Sequence, residues 1–119
     1  MVQNLEIKGI HLELDENLKK YINKKINKLE KYISHASRES LRVEVYLQEL
    51  KSHADKQCEC EVLFHLPKET IRIKDSTMNM YAAIDIVEEK MKQALCRYKD
   101  QHDQARNERH LLNRVHVNS

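Results

Sequence analysis

The chain has 119 residues, 40% of them apolar and 34% charged, with 21 basic against 19 acidic side chains. That suits a single domain with a modest core and an ionic surface, and a net charge of +2 does not by itself mark a nucleic-acid binder. A lone glycine, Gly9, excludes the glycine-rich phosphate loops and the dinucleotide fingerprint, which need several glycines at fixed spacing.

The N-terminal "MVQNLEIKGIHLELDEN" has neither the basic start nor the continuous apolar stretch of a signal peptide. No run approaches the roughly 18 apolar residues of a membrane span. Three cysteines, an odd number, without an export signal imply a cytoplasmic protein with reduced thiols.

Within that first stretch, "VQNLEIKG" alternates, with Leu5 and Ile7 on one side and Asn4, Glu6 and Lys8 on the other, which predicts a strand with one buried face. "DENLKKYINKKINKLEKYI" follows at helical period, its stripe being Leu18, Tyr21, Ile22, Ile26, Leu29, Tyr32 and Ile33, with Asp15 as N-cap. "SHASRES" reads as a loop. "LRVEVYLQ" points Leu41, Val43, Val45 and Leu47 inward; "ADKQCECEVLF" does the same with Cys58, Cys60, Val62 and Phe64. "LPKE" is a turn around the only proline, and "TIRIK" is a short strand with Ile71 and Ile73 inward. A second helix is expected from about Met80 to about Lys99, capped by Asn79, with Met80, Ile84, Val87, Met91, Leu95 and Tyr98 as its buried stripe.

The order is βαβββα. Four half-polar strands make a sheet with one wet and one dry face, and two amphipathic helices can cover the dry one, giving a two-layer α+β domain. Residues 1–100 form that domain, and 101–119, polar and carrying His102, His110 and His116, read as a flexible C-terminal tail, a frayed helical extension where it begins.

Spacing the first helix at about 100° per residue puts Lys20, Lys24, Lys28 and Lys31 within an arc of about 80°, a row roughly 16 Å long. Like charges at i,i+4 cost a helix a few tenths of a kcal/mol per pair, so a single-sign row hints at a polyanionic partner; a plain solvated face is the other reading. On the second helix Lys90 and Arg97 share one flank, while Lys92 and Lys99 lie on the opposite flank near Asp85 and Glu88. Its early acids and late cations also suit the helix macrodipole, which explains them without any partner.

Cys58-x-Cys60 places both thiols on the dry face, as buried small hydrophobes, not metal ligands. Cys96 falls on the exposed side of the second helix. The seven histidines are dispersed and form no catalytic set. No metal, cofactor or enzymatic activity is expected.

"NMYAAID" followed by "EEKMKQALCRYK", with "INKLEKY" at Ile26–Tyr32 and "HAD" at His53–Asp55, resembles the bacterial ribosome hibernation factors over residues 2 to 100. These are the short hibernation-promoting factors and the ribosome-associated inhibitor A, once labelled modulators of a nitrogen-regulation sigma factor. The resemblance implies a fold related to double-stranded-RNA-binding domains. It implies docking on the small ribosomal subunit, at rRNA of the tRNA- and mRNA-binding channel, and a block of translation in stationary or stressed cells. By matching position it implies phosphate contacts for Lys28, Lys90, Arg97 and Lys99; Lys20, Lys24, Lys31 and Lys92 join them from the charge pattern. The family usually has Arg-Gln where this chain has Gln93-Ala94, which removes one expected contact. The chain length matches the short form, without a second, dimerising domain. The expectation is a monomer off the ribosome that binds neither membrane nor small-molecule substrate. The alternative is a protein–protein module, a homodimer that binds no nucleic acid.

Overall fold

The alternating runs fold as strands because every second side chain is apolar and the helices supply a dry layer to receive it. The computed structural model describes residues 2–51 and 56–114, with side chains for 2–50 and 56–98. Strands β1 (Asn4–Ile10), β2 (Arg42–Lys51), β3 (Lys56–His65) and β4 (Thr70–Thr77) form one mixed sheet in the order β1-β2-β3-β4. β1 pairs with β2 in parallel, because a helix crosses between them, whereas β2–β3 and β3–β4 are antiparallel. The helices are α1 (Glu16–Leu29), a 3-10 turn (Glu30–Tyr32), α2 (His35–Arg38) and α3 (Met80–Arg114).

The register stacks the dry face in rows. Leu5, Val43, Phe64 and Ile71 lie side by side, as do Ile7, Val45, Val62 and Ile73, and then Gly9, Leu47, Cys60 and Asp75. Onto these rows α1 buries Leu18, Ile22, Ile26 and Leu29, and α3 buries Met80, Ala83, Ile84, Val87, Met91 and Leu95. The architecture is the α+β two-layer sandwich expected.

Both caps form as expected: the Asp15 carboxylate accepts from the Leu18 amide at 2.7 Å, and the Asn79 side chain accepts from the Tyr81 amide at 2.8 Å. Gly9 is required by close approach, since a Cβ there would stand 2.4 Å from the Leu12 carbonyl oxygen.

Several boundaries differ from the sequence reading, and three of them matter here. The loop "SHASRES" contains α2, started by Ser34, whose Oγ accepts from the Ser37 amide at 3.3 Å. β4 runs on to Thr77, three residues past "TIRIK". α3 continues beyond Lys99 to Arg114, because no glycine or proline interrupts that stretch. His53–Asp55 and His116 lie outside the described residues.

Candidate nucleic-acid interface

α1 is a helix with two kinds of lysine. Lys20, Lys24 and Lys28 are exposed at i,i+4 spacing, and among the described residues none of them has an ion-pair partner. Lys25 sits one step round, toward α3, with only 18% of its side chain exposed. Its ammonium lies 3.2 Å from Asp85 and 3.6 Å from Glu88. Burial acts to lower the Lys25 pKa, and the two carboxylates outweigh it, so it stands above ordinary lysine.

Contacts from one end of α1 to the other advance in step along α3, so the two helices run parallel. Tyr21 packs edge-on against Tyr81 with ring centroids 4.9 Å apart and donates its hydroxyl to Asp85, which raises the phenol pKa. The Lys25 ion pairs follow. The far end of this seam is different: Lys31 and Lys92 both stand over the ring of Tyr32, their ammonium nitrogens 5.3 Å and 5.7 Å from its centroid.

Lys31 was expected in the α1 row, but the 3-10 turn rotates the chain by about 120° per residue and brings it over Tyr32. Lys92, half-buried on the flank facing α1, joins it there; Asp85 and Glu88, expected beside Lys92, are taken by Lys25.

Lys90 and Arg97 depart from the expected arrangement. Helical spacing sets them on the flank of α3 away from α1, where β4 lies, so they do not extend the α1 row. Arg97 is exposed, and among the described residues it has no ion pair. Lys90, expected as a free cation, donates to the Asp75 carboxylate. The physical reason is the extra length of β4, which carries Asp75 onto the dry face in line with Ile71 and Ile73, under α3. The Lys99 side chain lies outside the described residues.

Lys90, helped by the Ser76 amide, holds the Asp75 carboxyl below the usual carboxylate range. A folded-state value below the unfolded one stabilises above the ordinary aspartate range, and that contribution fades as pH falls through the folded value. Asp75→Asn is therefore expected to cost about 0.5 kcal/mol at neutral pH, the pair being partly exposed. Thermal melts of parent and variant should converge in strong acid, where both side chains are neutral.

The wet face of the sheet also carries cations, but they are matched. Arg72 pairs with Glu61, Lys74 with Glu59 at 3.6 Å, and Lys8 with Glu6 at 3.8 Å. Glu44 accepts from Tyr46 at 2.5 Å, has His65 Nε2 at 2.5 Å and Arg42 at 3.8 Å; the Tyr46 and His65 contacts hold its carboxyl below the usual range. Among the described residues, the exposed lysines Lys20, Lys24 and Lys28, without an ion pair, therefore stand on the helix layer rather than on the wet face.

Cys58 and Cys60 are buried among apolar side chains as expected, and burial pushes the Cys60 thiol up to about 12. Cys96 is half-buried rather than exposed. Sequence reasoning read Tyr32 as a packing residue and passed over Asp75. The KLEKY tyrosine had a signal, a lysine immediately before it at a helix end, whereas Asp75 had none beyond its parity with Ile71 and Ile73.

A family model described as "Sigma 54 modulation protein / S30EA ribosomal protein" matches residues 5–103. The chain is 32% identical over 93 residues to a protein of Lactococcus lactis subsp. cremoris, and 29% identical over 94 residues to one of Staphylococcus aureus. Each is called "Ribosome hibernation promotion factor". The matches cover 78% and 79% of this chain but 48% and 47% of those proteins, so the chain spans about half the length of the curated relatives it matches. Among solved structures, the Thermus thermophilus Protein Y N-terminal domain superposes with a TM-score of 0.66 at 23% identity. That alignment covers 81% of this chain and 99% of the other. A ribosomal subunit interface protein from Coxiella burnetii gives 0.66 at 17% identity, covering 82% and 99%. At those identities the two structures speak to the fold.

Proposed function

We propose, on the premise that this chain belongs to the sigma 54 modulation protein / S30EA ribosomal protein family, that it is a non-enzymatic ribosome-associated hibernation factor. In this reading the helix layer of residues 1–100 docks on rRNA of the small ribosomal subunit, in the tRNA- and mRNA-binding channel. Occupying that channel excludes both ligands sterically and stops translation in stationary or stressed cells. The setting is the cytoplasm. The names of the Lactococcus and Staphylococcus relatives support hibernation as the process.

The observation that carries the reading is the row Lys20, Lys24 and Lys28, exposed and, among the described residues, without an ion pair, while the described cations of the wet sheet face are matched by carboxylates. A rigid row of ammonium groups neutralises phosphates and releases their counterions without reading bases, as suits RNA of fixed shape. The matched charges of the wet face offer no comparable field to a polyanion and no broad apolar patch to a second copy.

The test is sedimentation with purified small ribosomal subunits across a salt series. Binding at low salt is expected, falling linearly on a log–log plot, by about two orders of magnitude between 50 and 200 mM if roughly four phosphates are neutralised. Absence of the protein from the subunit peak at low salt would overturn the reading.

A further inference from the structure

We infer that Tyr81, at the start of α3, is a stacking platform for one unpaired nucleobase of the RNA that the α1 row binds. The inference rests on the reading above and adds to it a contact with a base, where that reading has phosphates alone. Tyr81 is the one exposed aromatic side chain among the described residues, at 39%; Tyr21, Tyr32, Tyr46 and Tyr98 are half-buried and Phe64 is buried. It stands on the flank of α3 that faces α1, against Tyr21. The two rings meet edge to face, with centroids 4.9 Å apart and planes at 79°. In that arrangement Tyr21 can cover at most one face of Tyr81, so a ring face is left for a ligand.

The platform is braced from below. Tyr21 donates its hydroxyl to Asp85, one turn beyond Tyr81, and carries the Lys25 ammonium 5.3 Å from its own ring centroid. A ring held in this way loses little freedom when a base settles on it. The site also adjoins the row: Lys20 directly precedes Tyr21, and Lys24 follows three residues on, on the neighbouring stripe of α1. Charge decides what the platform takes. Asp85 and Glu88 lie on the same flank of α3 as Tyr81, and both share the single ammonium of Lys25. Two carboxylates against one cation leave no positive excess to draw a phosphate here. A nucleobase is flat and neutral, and its stacking on an aromatic ring needs no cation. A strand whose phosphates follow Lys20, Lys24 and Lys28 can therefore turn one base toward the helix seam and lay it on Tyr81.

The test is sedimentation with small ribosomal subunits across a salt series, for the parent, Tyr81→Leu, Tyr81→Phe and Tyr81→Trp, each shown folded by thermal melt. Lys24→Met is the reference. Tyr81→Leu is expected to weaken binding about tenfold with an unchanged salt slope, because stacking releases no counterion. Lys24→Met should instead lower the slope by about one. Tyr81→Phe and Tyr81→Trp keep a ring and should stay within about threefold of the parent. The chain has no tryptophan, so Tyr81→Trp carries a single reporter at the platform. Its emission, above that of the subunits alone, should be quenched as the base stacks on it, and this decides the matter if Tyr81→Leu does not fold. A loss that also lowers the slope would mean a displaced α1 row and would overturn the platform. So would binding indifferent to Tyr81→Leu, or emission unchanged by subunits. A loss seen with whole subunits but absent with their protein-free rRNA would give the ring to a ribosomal protein and overturn it too. Each of these leaves the RNA reading standing, whereas a parent that does not bind at low salt overturns both.

Discussion

The variant Lys20→Glu, Lys24→Glu, Lys28→Glu is expected to lose at least about a hundredfold in affinity for small ribosomal subunits and to melt within a few degrees of the parent. The first half follows from reversing three charges that face a polyanion: each change removes an attraction and adds a repulsion. The second half follows from their surroundings. All three side chains are exposed, none has an ion pair among the described residues, and one like-charged row is exchanged for another. Lys25→Glu provides the contrast, because it sets a third carboxylate against Asp85 and Glu88 at the helix seam. That variant should lose stability whatever it does to binding. Gradient sedimentation and thermal melts read the two effects separately. Retained binding by the triple variant would remove α1 as the docking surface.

Phe64→Ala is expected to cost about 3–5 kcal/mol, the largest stability loss of any change considered. Phe64 is fully buried in β3, between Val43 and Ile71 in the register, and is the largest of the fully buried side chains. Truncating it leaves a cavity where the helix layer meets the sheet, and the rows above and below hold their positions through backbone pairing, so the space closes only in part. For a domain whose total stability is about 5–15 kcal/mol, the melting temperature should fall by more than about 10 °C. Subunit binding should then fail near the new midpoint and return on cooling, because the lysine row depends on a packed α1. A loss below about 1 kcal/mol, measured by denaturant titration, would show that the sheet and helices are not held together at this position.

How far the residues alone announce this molecule depends on the range of the interaction that places them. Val43, Val45, Cys60, Val62 and Phe64 could be assigned to the dry face from alternation, since pleating acts between neighbours in sequence. Asp15 and Asn79 were readable as caps for the same reason: the amides they satisfy lie two or three residues ahead. The exposure of Lys20, Lys24 and Lys28 also followed from helical period.

The partners of Lys25 and Lys90 were not readable. Asp85 and Glu88 lie some 60 residues beyond Lys25, and Asp75 precedes Lys90 by 15. In both cases the pairing exists only because the helices share one face of the sheet. A strand that runs three residues further made Asp75 the counter-ion of a cation expected to be free. A helix that tightens at Glu30 took Lys31 out of the row in which uniform spacing placed it.

The linear chain by itself thus determined the two layers, the order of the four strands and the two long helices, and the exposure of Lys20, Lys24 and Lys28, because periodicity and capping are local. Only the packed molecule decided which cations are left without a carboxylate, and that Lys31 and Lys92 both reach the ring of Tyr32. Electrostatic partnership acts through space, between side chains whose separation in sequence says nothing of their distance.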